Sequence, residues 1–403
     1  MALKHYPSAP IGAFARLVSR SEEVTAGRTY RQIGVRLWGK GVYEREATDG
    51  ASTRYQTLFR VQADDIVFNK IWARSGSAGV VPQHLNGCFG SGEFPTFEPD
   101  KDKINPRWFH WFAQTSVFWE RCAEKSFGTS GKNRIKPQKI LEIEIPLPPL
   151  PEQQRIVARI EALAGKIEAA RGLRGEAAEE TYSLLQATRR RLIGDSPNEK
   201  WVSLQKFGVS GIENGRSPQC ETRPAGVGEW GVLKVGAVSF GVFDPQENKA
   251  LPLHISPDAN LQVRDGDFLM NRANTKELVA ACAIAENPPP QLLLSDKIFR
   301  FQFNSDDSLN KRYLVHVLKS PALRQQIEEK ATGTSPTMKN ISKEKVLQLL
   351  VPNMDRETQD RVADRLDRLE HEVRRLHNKQ KATQKELDAL LPAILDRAFK
   401  GEL

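Results

Sequence analysis

The feature that most constrains this chain is that its second half repeats its first. Shifted by 205 positions, INPRWFHWFAQTSVFWERCAEKSFGTS at 104–130 lies on LNKRYLVHVLKSPALRQQIEEKATGTS at 309–335 without a gap. Asn105 meets Asn310, Arg107 meets Arg312, Trp108 meets Tyr313, and Gly128-Thr129-Ser130 meets Gly333-Thr334-Ser335. One extra residue then moves the offset to 206. IKPQKILEIEIP at 135–146 lies on ISKEKVLQLLVP at 341–352, and SLLQATRRRLI at 183–193 on ALLPAILDRAF at 389–399. Upstream, DIVFNK at 65–70 resembles DFLMNR at 267–272. A fold for this sequence must build one unit twice, each a domain of about 145 residues followed by a helix of about 40.

Each domain ends in a motif that launches a helix. IPLPPLPEQQRIVARIEAL at 145–163 sets a stiff, extended proline run before a long charged helix. Pro151 stands where a helix can begin, and Glu152 suits its first turn. In the first helix Ile156, Ile160, Leu163, Ile167, Ala170, Arg174, Ala177, Thr181, Leu184 and Thr188 follow 4-3 spacing. In the second, Val362, Leu366, Leu369, Val373, Leu376, Gln380, Thr383, Leu387, Leu390 and Ile394 keep the same register. Both stripes are heptad seams flanked by charge, as a coiled coil requires. Both turn polar or small near the middle, and Gly172 and Gly175 weaken the first helix by about 1 kcal/mol each. A helix of about 42 residues spans roughly 63 Å. Two such rods in one chain most simply pair with each other, antiparallel, placing two similar domains about a pseudo-two-fold axis.

The domains read as mixed α and β. DDIVFN, KIFRFQF and KILEIEIP alternate as strands do. The stretch 104–125 reads as one helix that buries Trp108, Phe109, Trp111, Phe112, Phe118 and Trp119 in the core, since their spacing is helical. The fold class is therefore α+β, with two tandem domains joined by two long helices. With 59 Lys and Arg against 50 Asp and Glu, the net charge is +9, which favours a polyanionic partner. Cys88, Cys122, Cys220 and Cys282 show no CxxC spacing, so neither a zinc site nor a disulfide framework is indicated, and a reducing cytoplasm fits. No apolar run is long enough for a membrane helix, and the N-terminal sequence lacks a signal-peptide core.

Catalytic motifs are missing from the sequence. ENPPPQ at 286–291 approaches the Asn-Pro-Pro-aromatic motif of amino-methyltransferases, but Pro290 offers no ring to stack on a flipped adenine. It reads as a proline turn. GCFGSG at 87–92 lacks phosphate-loop spacing, and EPDKDK at 98–103 lacks the following acidic-x-Lys of a metal-dependent nuclease. The seven histidines have no ligand spacing.

The proline motif, the GTS turn ahead of it and the ending LLPAILDRAFKGEL together resemble the specificity subunits of type I restriction–modification systems, along the whole chain. The resemblance implies a target-recognition domain at 1–146, a conserved helical spacer at 147–197, a second recognition domain at 198–352 and a second spacer at 353–403. It further implies that each domain reads one half of a bipartite double-stranded DNA target. The helices then set the unread gap and dock two adenine-methylating modification subunits, and restriction subunits join that core. On this reading the chain is not an enzyme and holds no cofactor or metal. S-adenosylmethionine, ATP and Mg belong to the partner subunits. One departure stands out: the second motif is VPNMDRETQDR, which keeps Pro352, Gln359 and Arg361 but has lost the proline run. The rival readings are a DNA-independent coiled-coil scaffold and a self-contained restriction or methylation enzyme.

Phosphate contacts call for Lys, Arg and small polar groups, and base readout for Arg, Asn or Gln. On those grounds the DNA-contacting candidates are Lys70, Arg74, Ser75 and Ser77, with Lys132, Asn133 and Arg134, in the first half. In the second half they are Arg216, Arg272, Asn274, Lys276, Lys339 and Asn340. Arg189, Arg190 and Arg191 form a basic cluster that suits helix carbonyls as well as phosphates.

Overall fold

The structure is a computed structural model that describes residues 6–126, 134–304, 308–333, 335 and 338–403. The chain divides into two compact units, Met1–Arg174 with Gln380–Leu403, and Gly175–Lys379. Each holds one globular domain, the start of one long helix and the end of the other. Among the described residues, no helix is long and apolar enough to cross a membrane.

In the first unit β1 (Ala15–Val18), β2 (Ile66–Phe68), β3 (Ala78–Val80) and β4 (Thr96–Pro99) form an antiparallel sheet in the order β3-β2-β4-β1. The Ile-Val-Phe run of DDIVFN is β2, and all three residues are buried. Packed on this sheet are two helices where one was expected, α1 (Pro106–Phe112) and α2 (Ser116–Glu124). Asn105 caps α1 by accepting the Arg107 N–H at 2.9 Å, and Pro106 supplies the pre-set first residue. Thr115 then interrupts the aromatic stretch. Its hydroxyl donates to the Phe112 carbonyl at 2.8 Å and accepts the Phe118 N–H, closing one helix and capping the next. Trp108, Phe109, Trp111, Phe112 and Phe118 are buried and form the core, with Phe68 and Phe97 edge-on at 5.7 Å beneath them. KILEIEIP is a strand only in its second half. Pro137 starts a short helix to Leu141, and Glu144–Pro146 pairs with Ser8–Pro10. The first long helix, α3, follows at Leu150–Ile193.

The second unit repeats this plan. β5 (Val209–Asn214), β6 (Phe268–Asn271), β7 (Cys282–Ile284) and β8 (Ile298–Phe303) run in the order β7-β6-β8-β5. Asn310 caps α4 (Lys311–Leu318), and Ser320 followed by Pro321 starts α5 (Pro321–Lys330). Leu350–Pro352 pairs with Trp201–Ser203 just before the second long helix, α6 (Arg356–Lys400). The units differ in a smaller sheet. In the first unit, Phe89–Gly90, Thr57–Arg60 and Ser21–Glu23 are all antiparallel. In the second, Gly231–Leu233 pairs in parallel with Leu292–Leu293.

The glutamine of each motif explains why the helix follows so abruptly. Gln153 is fully buried. Its side-chain oxygen accepts the Asn105 N–H at 2.8 Å, and its nitrogen donates to the carbonyls of Lys103 at 2.9 Å and Pro148 at 2.8 Å. Gln359 makes the same three bonds, to the Asn310 N–H at 2.8 Å and to the carbonyls of Ser308 at 3.0 Å and Met354 at 2.8 Å. One side chain thus ties the aromatic helix, the linker and the long helix together. Trp108 donates to the Pro146 carbonyl, as Tyr313 does to Pro352. Arg107 reaches Glu161 at 2.7 Å, and Arg312 reaches the equivalent Asp367 at 2.7 Å.

The long helices run antiparallel within the first unit: Arg155 donates to the Leu403 carbonyl, and Arg171 pairs with Asp388 at 2.9 Å. Of the seam residues, Ile156, Ile160, Ile167, Val362, Leu366 and Leu387 are buried, and Leu163, Leu369, Val373 and Ile394 are partly so. Leu184, Leu376 and Leu390 are not seam residues in the structure; they are 57%, 47% and 46% exposed. Near both helix ends the buried stripe steps forward by one residue, to Leu185 and Leu395. There the helix packs into a domain core rather than on its partner helix alone.

The two domain–helix joints differ in chemistry. In the first, Phe399 packs at 4.7 Å from Trp108 and 5.1 Å from Phe112, with Leu395 and Ala398 beside it. In the second, Glu370 takes Arg189 and Lys319, each at 3.0 Å, while His316 meets Asp367 at 2.8 Å. Burial pushes the Glu370 carboxyl up, but Lys319 and Arg189 outweigh it and hold it at about 2. Burial keeps His316 below its ordinary value despite its bond to Asp367.

Candidate nucleic-acid interface

The segments picked for DNA contact come together at the ends of β2 and β6. The Lys70 carbonyl accepts the Ile135 N–H at 2.9 Å, and the Arg272 carbonyl accepts the Ile341 N–H at 3.0 Å. Each bond ties a residue just past a central strand to the segment a few residues downstream of the Gly-Thr-Ser sequence. The repeat thereby places two distant basic segments side by side in both units.

In the second unit this junction becomes a ribbon, with Ala273 opposite Asn340 and Asn274 opposite Lys339. Asn274 is fixed: its amide donates to the Ser239 hydroxyl at 2.9 Å, and its oxygen accepts the Thr275 N–H. Arg272 lies over the Phe299 ring at 5.8 Å, and its buried Nε has no hydrogen-bond partner among the described residues. Beside the ribbon opens a cleft of about 480 Å³ lined by Asn274, Ser217, Lys234, Lys249, Lys297 and Met338. Arg216 is exposed next to Ser217, whose hydroxyl donates to Asp296 in the same cleft. Lys339 donates to the Gly333 carbonyl at 2.6 Å, and Lys276 is held by Glu328 at 3.1 Å.

In the first unit Lys70 donates to the Gly92 carbonyl at 2.6 Å and Arg134 pairs with Glu93 at 3.4 Å, so both converge on one turn. Arg74 lies 5.9 Å from the Trp72 ring, and Ser75 lies between Arg74 and the left-handed Gly76. Ser77 is a correction. It is fully buried, its hydroxyl donates to the Val35 carbonyl at 2.8 Å, and it cannot face a groove. Lys132 and Asn133 lie outside the described residues. Of the basic cluster, Arg189 is buried against Glu370, so it serves the joint.

Sequence reasoning missed Lys234, Lys249 and Lys297. They lie far apart in the chain, and only the sheet gathers them. A faint signal exists for Lys249, the one outward position in the Asn-Lys-Ala strand at 248–250.

Residues 24–176 match the family described as the type I restriction modification DNA specificity domain. That match lies within the first domain and the start of the first long helix. The chain is also 33% identical over 146 residues to the EcoEI specificity subunit of Escherichia coli, which covers 36% of this chain and 24% of that protein. To the EcoKI specificity subunit of the same species it is 25% identical over 364 residues, covering 85% of this chain and 76% of the relative. The chain thus spans about a quarter of the first relative and about three quarters of the second. A solved structure from work on complex assembly and conformational transition of the type I R-M system superposes with a TM-score of 0.72 at 21% identity. The HsdS subunit of Thermoanaerobacter tengcongensis superposes at 0.59, also at 21% identity. Each comparison covers 99% of this chain and 98% of the other. The type I specificity-subunit fold therefore runs through both halves.

Proposed function

We propose that this chain recognises duplex DNA as the specificity component of a type I restriction–modification assembly. Each domain reads one half of a bipartite target. The observation that carries this reading is the doubled site, because the Lys70–Ile135 and Arg272–Ile341 junctions put basic loops at equivalent places in two domains of one ancestry. Two-fold protein symmetry suits paired half-sites on DNA. The long helices set the length of the unread gap and dock two modification subunits. Those subunits supply S-adenosylmethionine and methylate adenine, and restriction subunits bring ATP- and Mg-dependent cleavage. The chain works in the cytoplasm and itself supplies no catalytic group. The test is genome-wide mapping of adenine methylation in cells carrying this chain with its modification subunit. A bipartite motif that requires both proteins is expected. Inserting one heptad in both helices lengthens its gap, and exchanging residues 1–146 changes one half only. No new methylation beside a subunit active with another specificity chain refutes the reading.

A further inference from the structure

Two exposed tryptophans stand together in the first unit. Trp38 is 48% exposed and Trp72 is 46% exposed. Their loops, RLWGKG at 36–41 and NKIWARSGS at 69–77, are bonded through Trp38 N–H to the Ser75 carbonyl and Gly39 N–H to the Gly76 carbonyl, each at 2.8 Å. Trp38 adopts φ of 59°, a left-handed conformation that a bulky residue rarely takes. Its ring packs at 5.0 Å on Trp119, whose indole N–H is bonded to the Ala113 carbonyl. Gly39 has no room for a side chain, since a Cβ would lie 2.3 Å from the Ala113 carbonyl oxygen. The surroundings thus hold a strained tryptophan rigid with half its surface in solvent. Strain of this kind concentrates where function requires it.

The second unit repeats part of this arrangement, an exposed ring before a left-handed glycine, without the strain at the aromatic residue itself. Phe240 is 79% exposed and directly precedes the left-handed Gly241. The Gly241 carbonyl accepts from Lys319, the residue that the 205 offset pairs with Gln114, which lies beside Gly39. An exposed aromatic before a left-handed glycine therefore recurs at the end of the first aromatic helix in both halves. The charge is one-sided in the first unit, whereas the cleft at Phe240 mixes Arg189, Lys319 and Arg324 with Glu277 and Glu370. The two loops in the first unit carry Arg36, Lys40, Lys70 and Arg74 and no carboxylate. In the second unit Lys234 precedes Phe240 by six residues and pairs with Glu247 at 3.0 Å.

We infer that Trp38 and Phe240 are apolar wedges that press into one base step of each half-site of duplex DNA, with Arg36, Lys40 and Arg74 on the flanking phosphates in the first half. Side chains that unstack a step in bent DNA are apolar and flanked by cations. Protein-docking surfaces, by contrast, are depleted of charge at their cores. The inference rests on the DNA-recognition reading above and adds which side chains deform the duplex.

The test uses the full chain with its modification subunits and a duplex bearing the mapped target, with 2-aminopurine placed in turn along each half-site. The parent is expected to raise fluorescence at one step per half. Trp38→Ala abolishes the rise in the first half only and weakens binding about tenfold or more, as expected when an aromatic–base stack is removed. Phe240→Ala does so in the second half only, and Trp38→Phe, which keeps a ring, stays near the parent. A Trp38→Ala protein with parental affinity and parental fluorescence overturns the wedge alone. So does one that loses its modification subunits while keeping the fluorescence rise. Failure of the parent itself to bind the duplex overturns both readings.

Discussion

Replacing Gln153 by methionine keeps length and volume but removes all three of its hydrogen bonds, which isolates their energetic contribution. The change orphans the Asn105 N–H and withdraws a donor from the carbonyls of Lys103 and Pro148. A buried group left unpaired costs about 1–3 kcal/mol, and the carbonyls fall near the low end because each keeps a second lone pair for water or a neighbour. The sum is about 3–5 kcal/mol. For a unit of this size that lowers the melting temperature by roughly 6–20 °C. Calorimetry of the full chain measures it, and hydrogen exchange localises it to the amides of Asn105 and α1. The exposed neighbour Gln154 is the control, since Gln154→Met removes no buried bond. Gln359→Met should cost the second unit as much, since its three bonds are the same. A Gln153→Met protein that melts within about 2 °C of the parent, or no lower than Gln154→Met, refutes the latch.

Three further outcomes are expected. Gly172→Ala and Gly175→Ala should each stabilise α3 by about 1 kcal/mol, because a Cβ at either position meets open space; thermal unfolding followed by circular dichroism measures this. Acid should destabilise the chain through part-buried His110 and buried His316. Burial, with Arg107 adding to it, lowers His110 to about 4, and burial lowers His316 as well. Below pH 6.5 the unfolded chain takes protons that these folded sites resist. Their stability contribution is therefore complete above pH 6.5 and falls away as pH drops towards the folded values, at most about 3 kcal/mol for His110. His110→Gln should flatten the urea midpoint between pH 6.5 and 4. Finally, removing Lys234, Lys249 and Lys297 together should reduce the slope of log affinity against log salt by about 0.9 for each phosphate that is no longer neutralised, as measured by fluorescence anisotropy.

The repeat made most of the fold legible. An offset found in letters returns as paired bonds, Trp108 to Pro146 and Tyr313 to Pro352, because equal environments select equal donors. The break in the aromatic stretch was not legible. Six aromatics fit one long helix or two short ones equally well, and a single hydroxyl, that of Thr115, decides between them. Heptad spacing located the seam but not its ends, where Leu185 replaces Leu184 once a domain core competes with the partner helix. At the site, the basic loops were legible from their composition. Ser77 misled because a serine among glycines looks like a groove contact, and only the Val35 strand shows what its hydroxyl does. Despite the loss of the proline run, the start of α6 keeps its own cap and latch. Asp355 caps that helix through the Thr358 N–H at 2.8 Å and its hydroxyl at 3.0 Å, and the Gln359 latch is intact.

Four equivalent positions set the two joints apart: Trp111, Ala164, Leu395 and Phe399 in the first unit correspond to His316, Glu370, Arg189 and Ile193 in the second. A buried ion pair adds little net stability over an apolar pair, but breaking one partner is costly. The difference therefore acts on pairing choice. The end of α3 carries Arg189 and suits the start of α6, which carries Glu370. A second copy offering Leu395 there would bury Glu370 with one cation fewer, so wrongly paired helices are penalised. A double-mutant cycle tests this. Arg189→Leu alone should destabilise the second unit by about 3 kcal/mol or more, because it strips a counter-ion from a buried carboxylate. Arg189→Leu with Glu370→Ala, which copies the first joint, should recover most of that loss. The double variant should also self-associate more readily, as seen by sedimentation. If the two substitutions prove additive, the ion pair is not what distinguishes the joints.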